Sequence, residues 1–118
     1  MEIRLEAPAP GECRGFVLEP GEGQGGDSVE GFVVATADGC YAYRNSCPHT
    51  GAPLNWQPDQ FLNYENDMIE CALHGARFQI KDGYCLHGPC LGQSLQPLSL
   101  RREGALLVIA IAADQYNR

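Results

Sequence analysis

Basic residues, histidines and long apolar runs are all scarce in this chain, and each scarcity closes off a class of function. Eight lysines and arginines stand against fifteen acidic residues, for a formal net charge of −7. Phosphate backbones are bound by basic surfaces, so nucleic acid is not an expected partner, whereas an acidic surface suits a basic patch on another protein. No stretch approaches the roughly 20 apolar residues that cross a bilayer, and the opening residues do not combine a basic end with an apolar segment of the secretory type. No membrane partner is expected, and the expected location is cytoplasmic. Helical periodicity sustained over a dozen residues is missing too, while 14 glycines and 8 prolines punctuate the sequence, so short strands and loops should dominate. At 118 residues the chain is predicted to be one all-β domain spanning 1–118, large enough for a core of its own.

Ile3-Arg4-Leu5 and Phe16-Val17-Leu18 read as short strands separated by Pro8 and Pro10. Glu19 to Gly31 is rich in glycine and acid, as a surface loop would be. Phe32 to Ala35 and Cys40 to Tyr43 flank Asp38-Gly39, a strong hairpin signal because Asp-Gly tolerates the positive φ of a tight turn. The same pattern returns at Ala76 to Ile80, Asp82-Gly83 and Tyr84 to Leu86. A last hairpin is expected from Pro97 to Leu100 and Leu106 to Ala112, turning at Arg102-Glu103-Gly104, with its second strand apolar enough to be central.

The chemistry concentrates between these hairpins. Cys47-Pro48-His49-Thr50-Gly51 and Cys71-Ala72-Leu73-His74-Gly75 place one thiol and one imidazole in each of two glycine-containing loops. Four such ligands can hold one ion tetrahedrally, or each residue type can take one iron of a two-iron cluster. Zinc sites more often pair C-x-x-C with H-x-x-x-H, which fits this order poorly. The remaining cysteines, Cys13, Cys40, Cys85 and Cys90, are expected to be buried thiols, since a cytosolic setting disfavours stable disulfides. His87 has no cysteine at ligand spacing and reads as a surface or hydrogen-bonding residue.

CPHTGAPL and CALHGARF, with the Asp-Gly hairpin before the first and Gly88-Pro89 after the second, resemble the Rieske iron-sulfur family, in particular its small ferredoxins of the oxygenase type. That resemblance implies an antiparallel β-sandwich or incomplete barrel carrying a cluster-binding subdomain of two loops at about 45–90. It also implies one [2Fe-2S] cluster, with Cys47 and Cys71 on one iron and His49 and His74 on the other. The implied role is a one-electron carrier between a reductase and an oxygenase or other acceptor, with no catalytic residue of its own. Two other readings stay open: a small iron-sulfur subunit of a larger oxidoreductase, resembling the nitrite reductase small subunit, and a structural zinc module.

High-potential members of the family carry a loop-to-loop disulfide and hydroxyls that donate to the sulfurs. Ala52 and Leu73 stand here where those cysteines would be, and Ala76 and Phe78 where the hydroxyls would be. The resemblance therefore points to the low-potential branch. The spacer between the loops carries Trp56, Phe61, Leu62 and Tyr64, read first as a small satellite core and second as a docking surface.

Overall fold

The computed structural model describes residues 2–19, 28–48, 51–55, 57, 59–65, 67–72 and 75–111. Among them nine strands form three antiparallel three-stranded sheets. The first sheet joins β1 (Glu2–Glu6), β9 (Leu106–Ala110) and β8 (Ser99–Glu103), in that order. The second is β2 (Cys13–Leu18), β3 (Val29–Thr36) and β4 (Gly39–Arg44). The third is a small sheet of β5 (Ile69–Glu70), β6 (Arg77–Phe78) and β7 (Cys85–His87). The all-β architecture expected from the sequence is the one observed, and no helix long and apolar enough to cross a membrane occurs among the described residues.

Strand β3 explains how the sheets come together. Its apolar residues alternate in direction, as a pleated strand requires, but both faces are covered. Val29 and Val33 enter a core with Leu5, Phe16, Leu18, Leu98, Leu107 and Ile109, between the first two sheets. Phe32 and Val34 enter a second core with Leu54, Phe61, Ile69, Phe78 and Leu95, under the third sheet. At Gly31 an added Cβ would meet the Phe16 ring at 2.7 Å and Leu98 at 2.9 Å, so only glycine lets the two elements close over β3. In the first sheet β9 is the middle strand, with Leu107, Val108 and Ile109 all buried.

Three local expectations shift. The β3–β4 turn is Ala37-Asp38, because Thr36 pairs with Gly39; the Thr36 hydroxyl accepts from the Asp38 amide and donates to the Gly39 carbonyl, both at 3.1 Å, and so closes the hairpin one residue early. The last hairpin pairs Glu103 with Leu106, moving its turn to Gly104-Ala105. The acidic loop ends at Ser28, since Val29 already pairs with Leu18; residues 20–27 lie outside the described residues. Although β1 and β2 are neighbours in sequence, they do not pair: β1 goes to β9 and β2 to β3.

Two contacts fasten the third sheet to the second. The Tyr43 hydroxyl on β4 donates to the Ile80 carbonyl at the β6–β7 turn, and Gly83 (φ +73°) admits the Tyr43 ring, which its Cβ would meet at 2.9 Å. Phe61 stacks on Phe32 with centroids 4.2 Å apart and planes 7° from parallel. Of the spacer aromatics, Phe61 is thus core, whereas Tyr64 is 98% exposed; Trp56 lies outside the described residues.

Phe61→Ala should lower unfolding free energy by about 3–5 kcal/mol, through lost burial and the lost ring pair, as read by chemical denaturation. Burial, followed by the charges of Asp82 and Tyr41, pushes the Tyr43 phenol up to about 12. A raised folded-state value means that the native state holds this proton where the unfolded chain has released it. Stability contributed by Tyr43 is therefore full below about pH 10, the ordinary phenol value, and falls as pH rises towards 12. Denaturation midpoints measured across that range should drop more steeply for the native chain than for Tyr43→Phe.

Candidate metal centre

The two predicted ligand loops are built alike. In the first, the Cys47 amide donates to the Ala52 carbonyl at 2.8 Å and the Gly51 amide donates to the Cys47 carbonyl at 2.7 Å. In the second, the Cys71 amide donates to the Ala76 carbonyl at 2.8 Å and the Gly75 amide donates to the Cys71 carbonyl at 2.9 Å. Each cysteine thus opens a turn closed by the glycine four residues on, and both glycines are left-handed, at φ +80° and +69°. Most L-residues are strained in that region, which is the physical reason for glycine at both places.

Leu54 holds the loops together. Its amide donates to the Asn45 side-chain oxygen at 2.7 Å, and its carbonyl accepts from the Ala72 amide at 2.8 Å. Asn45 is itself tied to β3 through its amide, which donates to the Glu30 carbonyl at 2.8 Å, and to Asn55 through its side-chain nitrogen at 2.9 Å. The chain between the loops is anchored at Asp59, whose carboxylate accepts from the Gly15 amide at 2.7 Å and whose carbonyl accepts from the Cys13 thiol at 3.0 Å. Asn63, a buried polar side chain, closes the turn before β5 by accepting from the amides of Asp67 and Met68, each at 3.0 Å.

The outcome is a pair of sulfurs, Cys47 and Cys71, each 1% exposed or less and packed in the same apolar core. His49 and His74, the other half of the predicted ligand set, lie outside the described residues, as do Thr50 and Leu73. Among the described residues no group of three or more His, Cys, Asp or Glu side chains gathers as a metal site. What the described residues offer is two buried thiols presented by matching loops, a donor set suited to a soft-metal or iron-sulfur centre. Ala76 and Phe78, also fully buried, bring no donor to it.

A third segment, the turn that begins at Gly88-Pro89, packs against the second ligand loop. Gly88 (φ +100°) seats the turn after β7 on the second ligand loop so closely that an added Cβ would lie 2.7 Å from the Ala76 Cα. This turn carries Cys90, buried at 1%, and its sulfur lies 3.1 Å from that of Cys85. Burial, then the Cys85 and Cys47 sulfurs, push the Cys90 thiol up to about 12. No disulfide joins any of the six cysteines; Cys85 and Cys90 are buried as expected, whereas Cys13 and Cys40 are only half-buried. The spacing of five between Cys85 and Cys90 was the available signal, but their burial in the same core as Cys47 depends on how the loops fold back. His87 is exposed on β7, in keeping with a surface role.

The family model of the Rieske [2Fe-2S] domain matches residues 18–109. Among solved structures, the ferredoxin of carbazole 1,9a-dioxygenase from Nocardioides aromaticivorans IC177 is 27% identical, with a TM-score of 0.58 over 86% of this chain and 98% of its own. A chain from the complex of reduced oxygenase and oxidized ferredoxin in carbazole 1,9a-dioxygenase is 22% identical, with a TM-score of 0.65 over 92% of this chain and all of its own. The apo form of the quaternary ammonium Rieske monooxygenase CntA gives 17% identity and a TM-score of 0.68 over 91% of this chain but only 30% of its own. These last two establish likeness of fold. No curated protein matches.

Gly88→Ala should cost about 2–4 kcal/mol, combining left-handed strain with the clash on Ala76. Gly92→Ala, at φ +89° with nothing within 4 Å of the new Cβ, should cost only about 1–2 kcal/mol for the backbone alone. Urea denaturation of the pair isolates the contact between the third segment and the second ligand loop.

Proposed function

This chain belongs to the Rieske [2Fe-2S] domain family, and on that basis we propose that it is a carrier of single electrons between a reductase and an oxygenase, working through one [2Fe-2S] cluster. The observation that carries the reading is the repeated loop: two turns with the same hydrogen bonds, each opening on a buried cysteine. Cys47 and Cys71 would hold one iron and His49 and His74 the other. The cluster supplies a one-electron couple when bound.

The residues of this chain set the conditions for that couple. Burial of both sulfurs keeps water from the thiolate side of the centre, and the clasp through Asn45, Leu54 and Ala72 fixes the spacing of the loops. A site whose ligands are held in place needs little rearrangement when its charge changes by one. The net charge of −7 favours approach to a basic face on a partner. A Nocardioides ferredoxin matched over 98% of its length supports a free-standing carrier over a small subunit of a larger enzyme. Six cysteines without a disulfide are in keeping with a cytoplasmic location.

With Ala76 and Phe78 unable to donate to the centre, added negative charge is poorly compensated, and the midpoint potential should fall near the low end of the roughly −150 to +300 mV open to Rieske centres. Iron and acid-labile sulfide analysis, with visible and EPR spectra before and after dithionite, tests the cofactor; redox titration tests the potential. A midpoint above about +150 mV would contradict the assignment to the low-potential branch. Single alanine substitutions of Cys47, His49, Cys71 or His74 should each abolish the visible spectrum, whereas His87→Ala should keep it. A colourless native protein holding stoichiometric zinc would overturn the proposal.

A further inference from the structure

Cys85 and Cys90 have no part in the ligand set, yet their sulfurs lie 3.1 Å apart. From Tyr84 to Ser94 every other residue is exposed, so these two thiols are the only side chains this stretch buries in the core. Any small apolar residue would serve as an anchor; two cysteines in contact also carry a reaction. The Cys85 thiol donates to the His87 carbonyl at 3.1 Å, and the Cys90 thiol donates to the Cys85 sulfur. Short backbone bonds hold the base of the turn, the Cys85 amide donating to the Gln93 carbonyl at 2.8 Å and the Gln93 amide to the Cys90 carbonyl at 2.9 Å. The bonds that close the turn over the sulfurs are longer: the Leu91 amide reaches the Gly88 carbonyl at 3.2 Å and the Gly92 amide reaches the Cys85 carbonyl at 3.3 Å.

We propose that Cys85 and Cys90 form a reversible disulfide, a redox-sensitive staple that fastens the turn after β7 to its own strand. Bonding brings the two sulfurs about 1 Å closer, a movement that the exposed residues between them can absorb. The oxidant is a small-molecule disulfide such as oxidised glutathione, admitted when the turn opens at its two long bonds. One protein thiol gives up its proton and attacks the glutathione disulfide, forming a mixed disulfide and releasing one glutathione; the second protein thiol then attacks the protein-bound sulfur and releases the other. Two protein thiols lose two electrons and two protons in all, and one oxidised glutathione becomes two reduced ones. Only the His87 carbonyl loses a donor, and His87 is exposed, so water replaces it. Because Gly88 rests on Ala76, the staple also holds the turn on the second ligand loop while leaving the ligands themselves untouched. In a reducing compartment the pair stays as two thiols, and a rise in oxidised glutathione closes it.

The test equilibrates the purified full chain in glutathione buffers of stepped reduced-to-oxidised ratio, traps free thiols with N-ethylmaleimide in denaturant, and digests with trypsin for mass spectrometry. The fragment from Asp82 to Arg101 contains Cys85 and Cys90 and no other cysteine. At oxidising ratios it should be two hydrogen masses light and carry no maleimide; at reducing ratios it should carry two, with one reversible transition between. Urea denaturation should give the oxidised chain an unfolding constant about tenfold smaller than the reduced chain, a difference that Cys85→Ala and Cys90→Ala should each remove. Two maleimides at every ratio overturn the proposal, and so does a fragment that ends as a glutathione adduct or joined to the one holding Cys47 and Cys71. A fragment that stays closed in fully reduced buffer overturns the switch in favour of a permanent disulfide. Should an alanine variant fail to fold, the native chain decides alone: a disulfide that leaves its urea midpoint unchanged, or lowers it, overturns the staple.

Discussion

Everything at the metal centre depends on Leu54, whose backbone faces both ways. Its amide is held by Asn45 at the exit of β4, and its carbonyl holds Ala72 in the second loop. Two loops far apart in sequence are thereby fixed by one peptide segment, and each then closes on itself through the same pair of backbone bonds. Leu54 is fully buried, so leaving its amide or carbonyl unpaired would cost more than the bond contributes. A register slip at Leu54 would disconnect the Ala72 amide, so the placing of the second loop against the first rests on one main-chain bond and on the Asn45 side chain.

That clasp in turn stands on β3. Double burial makes β3 the wall between two cores, one serving the sheets and the other serving the site. The second core is where the four cysteines Cys47, Cys71, Cys85 and Cys90 lie among Phe32, Phe61, Phe78 and Leu95. The loops are therefore not appended to a finished fold. The Phe61 and Phe32 stack and the Tyr43 bond to Ile80 stabilise the protein and hold the centre against the second sheet at the same time. The salt bridges, such as Arg77 with Glu70 at 3.0 Å and Arg101 with Glu103 at 2.8 Å, are exposed and add little by comparison.

How much of this was legible in the sequence follows from the range of the interactions. Strand periodicity and turn glycines are local, so the hairpins and the two loops could be read directly from Asp38-Gly39, Asp82-Gly83, Gly51 and Gly75. The one-residue offset at Ala37-Asp38 was not readable, because it comes from a side-chain hydroxyl at Thr36 competing for the turn's backbone groups. Pairing of β1 with β9 joins the two ends of the described chain, which neighbouring sequence cannot reveal. Asn45, Asp59 and Asn63 look like ordinary loop polar residues until the structure shows the amides they satisfy. The burial of Cys90 has the same origin: a turn folded over a second loop, made possible by a glycine at 88 whose partner, Ala76, is twelve residues away.

The electrostatics of the centre come from opposing contributions. An apolar core around Cys47 and Cys71 disfavours any gain of negative charge, since charge is poorly solvated there. The same lack of water strengthens each donor that does reach a sulfur. With Ala76 and Phe78 apolar, no side chain at those two positions compensates the added charge. A centre in that balance would hold an added electron loosely, which suits a carrier that gives it up to the next acceptor.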